Sequence, residues 1–119
     1  MEEIHWYQEE SRGYVSLYAT NITLNMQAKA PFEEIPYVRV GINEKGQLLI
    51  VPVAAGEEDR YKAQGITLFA VSSKKSYARI NSTSLVRFIA SKMGLSLENT
   101  PVKLVCHYDD NIGLIAEKE

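Results

Sequence analysis

At 119 residues, 45% of them apolar and 24% charged, the chain has the balance of a folded globular protein and not of a disordered one. Its length suits one compact domain or two interlocked half-domains. A net charge of −2 gives no overall attraction to nucleic acid or acidic membrane, so electrostatic recognition has to be local.

Residues 1–12 read as a polar, acidic arm in which Trp6 and Tyr7 sit among Glu2, Glu3, Glu9 and Glu10. The arm is either frayed or docked through Trp6. The acidic start lacks the basic and apolar parts of a secretion signal. No run approaches the ~20 apolar residues of a membrane span. A cytoplasmic protein without a membrane partner is expected. From Tyr14 to Leu24, Val15, Leu17, Ala19, Ile22 and Leu24 alternate with polar residues, with a slip near Asn21. This predicts one bent strand or two short ones.

Ala28 to Ile35 predicts a short helical turn with Pro31 near its start and Pro36 ending it. Tyr37–Ile42 and Gln47–Val53 then read as the arms of a hairpin that turns at Asn43-Glu44-Lys45-Gly46. Residues 54–60, with Gly56-Glu57-Glu58-Asp59 at the tip, read as a linker loop. Tyr61–Val71 reads as a strand through Ile66, Leu68 and Ala70, Ser72–Ser76 as a polar break, and Tyr77–Asn81 as a short strand. A helix follows, capped by Asn81 or Ser82, with Leu85, Phe88, Ile89 and Met93 at helical spacing on its core face and Gly94 at its C-terminus. A second hairpin, turning at Asp109-Asp110-Asn111, closes the chain.

The order strand, helix, hairpin thus occurs twice. Without gaps, the closing segments agree at Pro36/Pro101, Val40/Val105, Leu49/Leu114 and Ile50/Ile115, and the openings at Asn25/Asn81. Duplication and convergence both account for so few identities. The expected fold is mainly β with one clear helix (α+β). It comprises the 1–12 arm and a single domain, 13–119, built of half-units 13–53 and 61–119 joined by loop 54–60.

No catalytic motif is present. Cys106, the only cysteine, lies in the apolar run Leu104-Val105-Cys106 and reads as a small buried hydrophobe, and no intrachain disulfide is possible. His107 follows it on the opposite strand face. No spacing suits a zinc site, no glycine-rich phosphate loop is present, and Asp109-Asp110 reads as a turn former. A non-enzyme without metal or cofactor is expected. Charge is more suggestive, for Lys74, Lys75, Arg79, Arg87 and Lys92 fall in an interval without an acid. Such a segment is either a solvated surface or a phosphate-binding one. Arg87 lies opposite the apolar stripe and faces solvent.

Tyr77-Ala78-Arg79-Ile80-Asn81-Ser82, the helix ending Met93-Gly94-Leu95, and the hairpin after it resemble the AbrB/MraZ-like DNA-binding module. Arg79-Ile80 and Met93-Gly94-Leu95 match that pattern. Ala78 stands where the family has glycine, and Asn81-Ser82 where it has Ile-Pro or Val-Pro. The first unit, Ile22-Thr23-Leu24-Asn25, has no arginine. The resemblance implies two units interlocked in a swapped-hairpin β-barrel, within one chain or across a homodimer. It further implies a small bacterial or phage regulator that binds double-stranded DNA through Arg79, with Lys74 and Lys75, and solvent-facing Arg87 on the adjoining helix is expected to add a further contact. The alternative is a non-catalytic domain that uses the barrel as a scaffold to bind another protein.

Overall fold

A computed structural model describes residues 3–6, 12–98 and 100–119. Their strands form one antiparallel sheet. β1 (Gly13–Leu17) and β2 (Asn21–Leu24) make a ribbon, β3 (Tyr37–Ile42) and β4 (Leu48–Val53) a hairpin, and β5 (Phe69–Ala70) and β6 (Ser72–Ser73) two short pieces. β7 (Ala78–Asn81) precedes the last hairpin, β8 (Val102–Asp109) and β9 (Gly113–Glu117). The order is β5-β3-β4-β9-β8-β1-β2-β7-β6. Its two edge strands are separated in sequence by Val71 alone, whose N–H donates to the Pro36 carbonyl at 3.0 Å. The segment Phe69–Ser73 therefore pairs with β3 at one end and β7 at the other, and the sheet closes into a barrel-like wall.

Alternation sets the inside. Val15, Leu17, Ile22, Leu24, Leu48, Ile50, Ala78, Ile80, Leu104 and Leu114 point inward and are buried, as period-two strands with one face on a core require. α1 (Met26–Lys29) lies against the Gly13 end of β1. It is capped by Asn25, whose Oδ1 accepts from the Ala28 N–H and also from the Tyr14 N–H, both at 3.0 Å. Pro31 cannot donate the next helical bond, so the chain tightens into a 3₁₀ turn, Ala30–Phe32. Phe32 fills that end of the barrel and meets Tyr108 edge to face, with ring centroids 6.3 Å apart. α3 (Thr83–Met93) lies near the β1–β2 turn, with Ser82 Oγ accepting from the Leu85 N–H at 3.1 Å and Gly94 closing the helix in the left-handed region. A cap of this type contributes about 1 kcal/mol.

Several expectations are corrected. The stretch from Tyr61 is not a strand: Glu58–Ala63 form a helix, α2, which takes the end of the 54–60 loop and the start of the second half-unit. Strand pairing begins only at Phe69, and Ser72–Ser73, read as a break, pair with β7. Gln64 and Gly65 follow the helix as a turn, with Gly65 N–H bonding to the Lys62 carbonyl. On α3 the inward face is Leu85, Val86 and Ile89, whereas Phe88 is 43% exposed. Val86 is only 100° from Leu85 on the helix wheel, and its burial turns Phe88 outward. Trp6 is 78% exposed, so the arm is not docked through it, and Tyr7, Glu9 and Glu10 lie outside the described residues.

The ungapped comparison of the closing segments is one residue out of register with the hairpins that form. Asn43 and Asp109 hold equivalent places, each accepting from the N–H two residues on (Lys45 at 3.0 Å, Asn111 at 2.8 Å). Val40 and Cys106 both pack against the core, while Val105, matched to Val40 by sequence, does not. A one-residue slip exchanges the faces of a strand, so those identities do not mark equivalent side chains.

Candidate nucleic-acid interface

The outward faces of β8, β1, β2, β7 and β6 line up residue by residue. Lys103 is registered with Ser16, Ser16 with Thr23, Thr23 with Arg79, and Arg79 with Ser72. One row thus crosses five strands. Lys103, Ser16, Thr23 and Arg79 are each flanked along their strands by residues that pack on the core, so alternation points them outward, and Ser72 is exposed beside Arg79. No Asp or Glu lies on β1, β2, β6 or β7, or in the turns that join β1 to β2 and β6 to β7.

Arg79 is central to this wall. Its guanidinium carbon sits 5.1 Å from the Tyr77 ring centroid, and its buried Nε has no hydrogen-bond partner among the described residues. Lys74 and Lys75 are exposed in the β6–β7 turn, which is closed by the Lys74 N–H donating to the Tyr77 carbonyl at 2.8 Å. Arg87, exposed on α3, lies at the opposite end of β7, in a cleft shared with Ala19 and Thr20 of the β1–β2 turn and with Glu98. The four cations are therefore spread along β7 and do not meet in one cluster. None of them makes an ion pair among the described residues.

Lys103 escapes sequence reasoning because it stands alone between Val102 and Leu104. Only the strand register brings it into the row. Its ammonium lies 3.8 Å from the Tyr14 ring centroid, and the alternation of β8 is the one signal in the sequence that points it outward.

The opposite wall, at the two hairpin turns, carries an open cleft of about 600 Å³ lined by Asn43, Glu44, Gln47, His107, Ile112 and Ile115, among others. Gln47 Nε2 donates to Glu117 at 2.6 Å beside it. Among the described residues no three His, Cys, Asp or Glu side chains gather as a metal site. Cys106 and His107 point to opposite faces, and burial pushes the Cys106 thiol up to about 11. Among the described residues, no helix is long and apolar enough to cross a membrane.

Comparison with protein-family models, with curated proteins and with solved structures finds no match to this chain.

Proposed function

We propose that the chain is a tandem, degenerate swapped-hairpin barrel of the AbrB/MraZ-like kind that binds double-stranded DNA as a small regulator. The architectural part is supported by the pairing pattern. The opening strands β2 and β7 pair with each other about Thr23–Arg79, and the closing strands β4 and β9 about Leu49–Ile115. β1 pairs with its neighbour β2 and with β8 of the other unit. β6 and β5 divide the corresponding position between β7 and β3. Two interlocked halves related by a pseudo-twofold axis account for this alternation. On that axis the second unit presents Arg79 and the first presents Thr23.

The single observation that carries the DNA reading is the wall around β7, where β1, β2, β6 and β7 and the turns joining them hold no Asp or Glu and Glu98 stands beside Arg87 at the α3 end. Its cations, Lys74, Lys75, Arg79 and Arg87, have no carboxylate partner among the described residues, and hydroxyls lie between them. Phosphates released from their counterions suit such a surface. A second reading, a protein-binding scaffold, is favoured by the hairpin cleft, where Ile112 is 45% exposed.

Fluorescence anisotropy of a labelled random duplex across a salt series tests the first reading. Affinity should fall steeply with salt, and replacing Lys74, Lys75 and Arg79 together by Gln should lower the log–log slope by about three. Absence of binding at low salt, or indifference to that triple substitution, overturns it.

A further inference from the structure

The row Lys103, Ser16, Thr23, Arg79 reads long, short, short, long across four adjacent strands. In a flat sheet this order would have little meaning. On a closed wall the surface is convex, so the β1–β2 ribbon forms a crest and the strands beside it fall away. In this row the short Ser16 and Thr23 side chains let a ligand approach the backbone at the crest, with Tyr14 as the bulky neighbour on β1, and long cations on the flanks reach up around it. Resting on the DNA reading, we propose that the β1–β2 ribbon enters the major groove of duplex DNA. Lys103 and Arg79 then contact phosphates of the two opposite strands.

The dimensions agree. Lys103 and Arg79 are three strand spacings apart, about 14 Å along the wall. The major groove is about 12 Å wide and admits a two-stranded ribbon, while the minor groove, about 6 Å wide, does not. The crest is uncharged and carries groups that read base edges: Ser16 and Thr23 hydroxyls, and the Asn21 amide. Thr23 Oγ1 donates to Asn21 Oδ1 at 2.8 Å, which orders the pair before any ligand arrives.

Both flanking cations are also ordered in advance. Lys103 rests on Tyr14 and Arg79 on Tyr77. An aromatic face holds a cation in place without neutralising it, whereas a carboxylate would compete with phosphate. At the turn end of the ribbon, Arg87 stands beside Ala19 and Thr20. Glu98, in the same cleft, sets a limit on how far DNA extends in that direction.

The test uses the full chain, two substitutions and two duplexes of equal sequence. One duplex is unmodified, and in the other glucosylated hydroxymethylcytosine fills the major groove without altering the phosphates. Lys103→Gln should lower the salt slope by about one. Ser16→Gln, which adds bulk at the crest without charge, should weaken binding at least tenfold, with both variants checked for native circular dichroism. The glucosylated duplex should bind at least tenfold more weakly than the plain one.

If the Lys74, Lys75 and Arg79 triple variant loses affinity while Lys103→Gln keeps the full slope and the glucosylated duplex binds normally, the ribbon proposal fails and the DNA reading stands. If the unmodified chain binds neither duplex at low salt, the DNA reading itself fails. Should Ser16→Gln unfold the barrel, the slope of Lys103→Gln and the duplex comparison still decide.

Discussion

On the wall formed by β8, β1, β2 and β7, Lys103 and Arg79 rest on aromatic rings and make no ion pair among the described residues, whereas elsewhere in the molecule cations use both carboxylates and rings. Lys103 lies over Tyr14 and Arg79 over Tyr77. Away from that wall, Arg12 pairs with Glu119 on the surface and buried Lys29 with Glu33, while Arg60 meets both Glu57 and the Tyr61 ring and Lys62 lies over Tyr37. A surface ion pair adds little stability and cancels two charges. A ring adds comparable stability and leaves the charge available. Lys103 and Arg79 are thus held in place with their charge still available.

The two walls also differ in how their glycines are constrained, and this gives the sharpest separation of stability from binding. Gly113, in the hairpin wall, has φ +133°, and a Cβ there would lie 2.8 Å from the Ile50 carbonyl oxygen and 3.1 Å from the Val51 Cα. Neither backbone atom can yield, so Gly113→Ala should cost roughly 3 kcal/mol or more in chemical denaturation. DNA affinity per folded molecule should be unchanged, and a loss of affinity would show that the walls are not independent.

Replacing Lys74, Lys75 and Arg79 by Gln should give the converse: affinity at low salt falling by a factor of the order of 100, with stability altered by less than ~1 kcal/mol. An equal effect from Lys45→Gln on the hairpin wall would erase the distinction.

Gly13→Ala, on β1, is expected to be milder because its obstacle is a side chain, the Cys106 Sγ at 2.9 Å. The cost should be about 1–3 kcal/mol, and most of it should disappear when Cys106→Ala is added. Strict additivity of the two substitutions would locate the strain elsewhere.

Glu98→Gln, beside Arg87, should raise DNA affinity about twofold at low salt, with the gain lost at high salt. By titration, Cys106 affects stability only at alkaline pH. Its folded thiol stays protonated while the unfolded one ionises, so the folded state binds more protons in that window. Stability should then decline from about pH 9 toward about 11. Thermal melts of Cys106→Ala should lack that component, and an unchanged profile would assign the decline to other groups.

Much of the fold was legible wherever periodicity and turn chemistry agreed. The β3–β4 hairpin, the helix from Ser82 to Gly94, and the Asp109 turn all form where short-range signals place them. Tyr61–Val71 misled because Ile66, Leu68 and Ala70 mimic strand alternation, while Glu58 and Asp59 at the start of α2 favour a first helical turn. The candidate site was legible only in part. Arg79, Lys74, Lys75 and Arg87 stand out as a basic run, but Lys103, Ser16 and Thr23 join them only through long-range register. No local window carries that information.

The closing segment around Val71 has a consequence for how the chain reaches this structure. β1 is made ahead of the other described strands, yet one of its two partners is β8, the last but one of them, and the edge of β3 waits for β5. An incomplete chain therefore exposes unpaired backbone on both sides of its earliest strands. Formation of the barrel should be slow for its size and governed by distant pairings. During synthesis, the exposed edges of β1 and β4 are the places where nascent chains would join one another.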